Sequence, residues 1–232
     1  QSPLALLDSL PNAFVGSRRT MYMFQPAIGS FYEGIQYGHK ELLSARDPWS
    51  GYIHYDPVLY MLSHITKFAK TGWENDTNTN GIWRVLPNAT YGSFGSSDNE
   101  HQTAGINGDA SYMTLAAPDK TNFSTVFINN TQNEKTFAIK TSDLNLSVDA
   151  LHIWTTVTDD YLKQGEDVKI EDGIAYVTVP AYSVVTATTL DTTPERFPTE
   201  DGSGDYIQTE KRTVLDTDYT GKNQNTTDDY LY

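Results

Sequence analysis

The spacing of apolar and polar positions changes near residue 73. Before it, Arg19-Thr20-Met21-Tyr22-Met23-Phe24 is a short β-prone run, and Gln25 to Gly51 is irregular and rich in Gly, Tyr and Pro. A helix is predicted next. Asp56 suits the N-cap and Pro57 the first turn, while Val58, Met61, Leu62, Ile65, Phe68 and Ala69 recur on one face until Gly72 stops the pattern. From Trp73 onward the period is two, predicting strands over 81–86, 111–115, 124–128, 135–140, 151–154, 174–179 and 183–190. Turn residues separate these runs at the intervals of an antiparallel β-sandwich, and Asp172-Gly173 is the tightest hairpin candidate.

Two stretches break the pattern. Residues 87–109, with Gly92, Gly95, Gly105 and Gly108, form a connection too long to be idle in a compact domain; it reads as a binding loop or a mobile surface loop. The tail from Asp191 to Tyr232 carries ten acidic and four basic residues with little apolar periodicity, and reads as a linker or return segment toward a further domain. The expected organisation is therefore 1–72 as a β/α portion, 73–190 as the sandwich and 191–232 as the acidic segment.

Charge and composition narrow the function. The 232 residues hold 16 Lys plus Arg against 30 Asp plus Glu, a net charge of −14, and no basic run; nucleic acid and anionic membranes, which reward clustered cations, are not expected partners. No apolar run approaches the roughly 18 residues of a transmembrane helix. The start, Gln1-Ser2-Pro3-Leu4, lacks the basic-then-apolar pattern of a signal peptide, so a trimmed or internal start is expected. There is no cysteine, which removes disulfides and thiolate metal sites, and the five histidines (His39, His54, His64, His101, His152) show no His-x-x-x-His spacing, so no metal or cofactor is expected. His64 and His152 read as packed or surface histidines. Neither Gly-x-Ser-x-Gly nor a phosphate-binding Gly-Lys-Ser/Thr loop is present. Asp159-Asp160 and Asp228-Asp229 read as solvated turns. Six Asn-x-Ser/Thr triplets, at Asn75, Asn88, Asn122, Asn129, Asn145 and Asn225, exceed what 14 asparagines would give by chance and point to a glycoprotein of the secretory route.

The long loop carries the most specific signal. Ser30-Phe31-Tyr32-Glu33-Gly34-Ile35-Gln36-Tyr37-Gly38, then Leu43-Ser44-Ala45-Arg46-Asp47-Pro48-Trp49-Ser50-Gly51, then Leu62-Ser63-His64-Ile65-Thr66-Lys67-Phe68 and Gly72-Trp73, resembles the galactosylceramidase family, glycoside hydrolase family 59. The likeness is strong from Met21 to Trp73 and weaker through Leu151-His152-Ile153-Trp154 and 184–190 to Pro198. It implies the last strand-loop-helix unit of a (β/α)8 TIM barrel followed by an antiparallel β-sandwich, in a secreted, extracellular or lysosome-like compartment. It also implies a retaining mechanism with two catalytic glutamates, taken from strands four and seven of an upstream barrel portion, acting on a β-galactoside or related glycolipid or carbohydrate. No residue here is then catalytic, and the chain supplies one wall of the pocket. Tyr37 matches the loop tyrosine that approaches nucleophile and sugar, and its alternative role is aromatic packing beneath the loop. Gln25 stands where the family carries an active-site tryptophan, replacing a stacking face with an amide. Trp49 is a further sugar-facing candidate, with packing the simpler role, as for Trp73. Glu33 and Asp47 are weak acid/base candidates. A lectin-like domain would follow. The rival readings are a non-catalytic extracellular structural or assembly glycoprotein on this fold, motivated by Gln25, and a carbohydrate-binding sandwich, which requires a planar aromatic strip.

Overall fold

The computed structural model describes residues 3–24, 26–31, 41–46, 53–69, 82–92 and 110–194. The chain divides into two compact units, residues 1–22 with 60–195 and residues 23–59 with 196–232. This division differs from the boundary expected at residue 72: the first residues and most of the helix pack with the β-rich part.

In the larger unit, strands β4 (Arg84–Val85), β5 (Ser111–Ala116), β6 (Phe123–Asn129), β8 (Ala150–Val157), β9 (Asp160–Gln164), β10 (Val168–Lys169) and β12 (Ser183–Thr188) form one antiparallel sheet. Its order is β10-β8-β12-β6-β5-β4, with β9 also beside β8. Strands β7 (Lys135–Lys140) and β11 (Ile174–Val179) pair separately, Val179 opposite Lys135 and Ile174 opposite Lys140. Between these layers lies an apolar core in which Phe127, Leu151, Ile153 and Val185 of the large sheet meet Phe137, Ile139, Val177 and Val179 of the small one. The part of the chain predicted from alternation is thus β-rich, with antiparallel sheets around an apolar core. Its shorter strands β9 and β10 escape that pattern because Lys163, Gln164 and Lys169 are exposed and polar.

The Asp172-Gly173 expectation holds. Both residues have positive φ, 50° and 76°, and Glu171 and Ile174 exchange two backbone hydrogen bonds of 2.9 Å across them. Paired left-handed residues are what a two-residue hairpin turn requires. Here the turn passes the chain from β10 of one layer to β11 of the other.

The far face of the large sheet is covered by helices. Helix α1 (Pro3–Pro11) sets Leu4, Leu7 and Leu10, together with Met61 of helix α2 (Pro57–Thr66), against Val126, Ile128 and Val184. Strands β6 and β12 are consequently buried along their whole length. Their polar positions survive burial because each finds a partner: Ser124 Oγ donates to Phe68 O (2.6 Å), and Thr114 and Thr125 hydroxyls meet at 2.8 Å.

Helix α2 starts after Asp56 as expected and stops at Thr66, short of Gly72. Hydroxyls of the sheet take over its terminal carbonyls, Thr186 Oγ1 donating to His64 O at 3.2 Å beside the Ser124 bond to Phe68. The buried side chains of α2 include Tyr60, Ser63 and His64, whereas Leu62 and Ile65 are only half-buried. His64 is packed, one of the two roles expected for it. Its ring is fully enclosed, with Nδ1 2.8 Å from Thr186 Oγ1 and Nε2 2.7 Å from Thr156 Oγ1. Because the Thr186 hydroxyl gives its hydrogen to His64 O, it accepts from Nδ1–H. Thr156, accepting from Leu162 N–H at 2.9 Å, donates in turn to Nε2. Every site on a neutral imidazole is satisfied, and burial pushes its pKa down to about 3.

Helix α1 is absent from the sequence reading. Pro11 closes it: without an N–H it cannot continue the ladder, and the next turn, Asn12–Gly16, widens so that Ser17 N bonds Asn12 O at 2.8 Å. Asp8 lies on its buried face, 1 % exposed. Desolvation pushes its pKa up to about 8, against a weaker opposite pull from the Ser111 and Asn130 side chains. The β-prone run 19–24 forms no strand among the described residues, and Met21 and Met23 are exposed. No helix among the described residues is long and apolar enough to cross a membrane.

Candidate functional site

The smaller unit holds the scaffold of the long loop. Strands β1 (Ile28–Phe31), β2 (Leu43–Arg46) and β3 (Ile53–Tyr55) form a three-stranded sheet in that order, β1 parallel to β2 and β2 antiparallel to β3. The Gln25 to Gly51 region, irregular by sequence, thus contains two strands. They escape the alternation rule because each is four residues long.

The topology sorts the connections. Segment 32–40 leaves β1 at its C-terminal end, and segment 47–52 leaves β2 at its own. Since these strands are parallel and in register, Ile28 beside Leu43 and Phe31 beside Arg46, both segments depart from one end of the sheet. By sequence Tyr37 belongs to the first and Trp49 to the second, and Gln25 precedes β1. Tyr37, Trp49 and Gln25 themselves lie outside the described residues, as do Glu33, Asp47, Trp73, His39, His101, Asn75 and Asn225.

Within this unit is a polar strut that the sequence does not signal. Ser44 Oγ lies 2.9 Å from Glu41 Oε1 and 2.7 Å from Asp56 Oδ2, and Glu41 is buried. One hydroxyl hydrogen serves two carboxylates and donates to one at a time. Asp56 N–H donates to Leu42 O and Leu43 N–H to Ala27 O, both at 3.0 Å, and Asp56 O accepts from Leu59 N–H to begin α2. Asp56 therefore acts as helix start and cross-strand tie together. Glu41 packs so closely on Gly29 that a Cβ there would lie 2.8 Å from its carboxyl carbon, which is why β1 carries glycine at this point. Two acidic groups bridged by one hydroxyl leave no room for a glycosidic bond between them, so this pair braces the sheet. His54 Nε2 is 4.0 Å from Asp56 Oδ1, a loose approach. Among the described residues no group of three or more His, Cys, Asp or Glu could hold a metal ion.

The glycosylation candidates separate by geometry. Asn88 and Asn145 are exposed and Asn122 half-buried. Asn129 is fully buried, its Nδ2 donating to the carbonyls of Asn133, Val179 and Pro180 at 2.8–3.2 Å, while its Oδ1 accepts from Thr131 Oγ1 at 2.7 Å. The expectation of a glycan at Asn129 is corrected: the nitrogen that would carry it ties β6 to the end of β11. His152 pairs with Asp167 at 2.9 Å, half-exposed on β8, a surface histidine.

Comparison with known proteins matches residues 3–67 to the model of the family described as "Glycosyl hydrolase family 59". Galactocerebrosidase of Danio rerio is 32% identical over 60 residues, which is 26% of this chain and 9% of that protein. Galactocerebrosidase of Homo sapiens is 35% identical over 46 residues, covering 20% of this chain and 7% of its own length. The chain thus spans under a tenth of the length of the curated relatives it matches. Among solved structures, the catalytic domain of GH30 xylanase C from Talaromyces cellulolyticus superposes with a TM-score of 0.52 at 14% identity, over 81% of this chain and 36% of that one. The sequence likeness lies on α1, the three-stranded sheet and α2, and the structural likeness extends over the β-rich part; the chain has the fold of part of such a domain.

Proposed function

We propose that this chain is the C-terminal portion of a secreted retaining glycoside hydrolase acting on β-galactosides or related β-glycosides, and that it contributes one wall of the active site. The observation that carries the reading is the galactosylceramidase likeness over residues 3–67, which contains the two connections leaving one end of the β1-β2-β3 sheet. Barrel enzymes bear their sites on such loops. The reading takes the chain as the last strand-loop-helix unit of a TIM barrel leading into a β-sandwich. The two glutamates come from the upstream portion, one protonating the leaving oxygen and the other attacking the anomeric carbon. Tyr37 donates its phenolic hydrogen to the attacking carboxylate and holds its charge in place, Gln25 hydrogen-bonds a substrate hydroxyl, and Trp49 flanks the sugar. A lectin-like domain following residue 232 is part of the same reading.

In the intact protein, Tyr37→Phe should lower kcat on a chromogenic β-galactoside on the order of 100-fold and leave the thermal midpoint unchanged. Kinetics equal to the native protein would remove Tyr37 from the site. An intact protein that carries both glutamates and hydrolyses no β-glycoside would instead favour the structural glycoprotein.

The secretory route has its own check. Enzymatic glycan release in ¹⁸O water followed by peptide mass spectrometry should mark Asn88 and Asn145 and leave Asn129 unmarked. A label at Asn129 would contradict its burial.

A further inference from the structure

A cleft of about 810 Å³ opens in the sandwich of the larger unit, within the volume range of small-molecule sites. One wall is formed by residues of β5 and β6 and by the turn Pro87–Ala89; the other is the run 137–140 of β7. Strand β7 pairs only with β11 among the described residues, so this edge of the small sheet has no neighbouring strand and the space beside it stays open.

The floor is aromatic. Phe127 and Phe137 have ring centroids 4.8 Å apart, and Tyr112 lies 5.7 Å from Phe137 at 66° and 6.2 Å from Phe127 at 50°. Tilted rings offer edges and corners instead of a continuous plane. That suits an alkyl chain, which makes contacts in any direction, and it does not provide the planar strip on which a sugar ring stacks.

The rim has the opposite charge to the protein as a whole. Arg84, Lys120 and Lys140 line the cleft with Asp143 as its single carboxylate, in a chain with a net charge of −14. All three cations are exposed, and their side chains make no ion pair or hydrogen bond among the described residues. Charge gathered over an apolar floor concentrates its field there.

We propose that this cleft binds a single-chain amphipathic anion, its alkyl tail along Tyr112, Phe127 and Phe137 and its carboxylate or sulfate head among Arg84, Lys120 and Lys140. The aromatic floor selects the tail and the unpaired cations select the head.

The test is isothermal titration of the full chain with sodium laurate below its micelle concentration, beside dodecyl maltoside, which has the same tail length and a neutral head. Laurate should bind saturably at one site, at least tenfold more tightly than dodecyl maltoside and more weakly as salt rises. The double variant Arg84→Glu/Lys140→Glu, both positions exposed, should lose at least tenfold in laurate affinity with an unchanged thermal midpoint. Ala117→Trp, which fills the cleft from its rim, should abolish binding of both. Equal affinity for the two amphiphiles, native affinity in the charge-reversed protein, or uptake without saturation would overturn the proposal, leaving an apolar cleft open to neutral lipids or to a polypeptide segment.

Discussion

Asp8→Asn is expected to raise the unfolding free energy at pH 7 by about 4 kcal/mol relative to its effect at pH 4. The native carboxyl is buried, and desolvation outweighs the side chains of Ser111 and Asn130, so it holds its proton up to about pH 8, from an ordinary value of 3.8. A raised carboxyl pKa means that the folded chain binds a proton the unfolded chain has released. Stability from this group is therefore complete below pH 3.8 and declines as pH rises toward 8. The amide has the shape of the protonated acid and no titration, so it lifts the decline. Urea unfolding of both proteins at the two pH values measures the difference. A substitution effect that is the same at pH 4 and pH 7 would show that Asp8 is ionised in the folded protein.

His64 is expected to give the opposite slope. Its pKa falls from 6.5 to about 3 because a charged ring cannot be solvated where it lies. The unfolded chain then binds the extra proton between those values, and stability is lost as pH falls from 6.5 to 3, by about 5 kcal/mol in all. From about pH 4 to 6.5 the losses from Asp8 and His64 run in opposite directions at about 1.4 kcal/mol per pH unit each. They cancel, so the native protein should show a flat profile in that range from these two groups. Single variants uncover what the cancellation hides: Asp8→Asn should become less stable toward acid, and His64→Gln less stable toward neutral pH. Removing the ring outright, His64→Ala, should cost about 3–5 kcal/mol at pH 7, since it leaves a cavity and strands the Thr156 and Thr186 hydroxyls that meet the imidazole at 2.7 and 2.8 Å. A loss below about 1 kcal/mol would mean that water replaces the ring.

Much of the fold can be read from local pattern. Residues 135–140 and 174–179 are strands with the predicted limits because one face of each meets the core and the other meets solvent, so period two survives in the sequence. Asp172-Gly173 is legible for a similar reason, since positive φ at two successive residues admits few residue types. The pattern misleads where burial is two-sided. Ser124, Thr186 and Thr188 look like solvent positions of β6 and β12, yet the helices lie over them. On α2 the same effect shifts the buried face toward Ser63 and His64, polar residues that an apolar count passes over.

The candidate site divides along the same line. The connection residues and the family likeness are carried by local sequence, and the likeness over residues 3–67 is found independently by comparison. The strut of Glu41, Ser44 and Asp56 is not, because Asp56 is 12 positions from Ser44 and nothing in either neighbourhood signals the other. Asn129 is the converse case: its triplet is a correct chemical signal for a glycan, and only the three carbonyls around Nδ2 reveal that the nitrogen is occupied.

By itself, then, the sequence determined the main antiparallel strands, the start of α2 and the tight turn, which depend on residues close together in the chain, and the family likeness, which is carried by a run of successive local motifs. Tertiary structure alone decided which polar groups are buried, which histidine and carboxylate have shifted pKa values, and that Arg84, Lys120 and Lys140 line the same cleft as Tyr112, Phe127 and Phe137. Those properties depend on desolvation and on partners far along the chain, such as His64 and Thr186, 122 positions apart. Solvent exclusion is a property of the assembled layers.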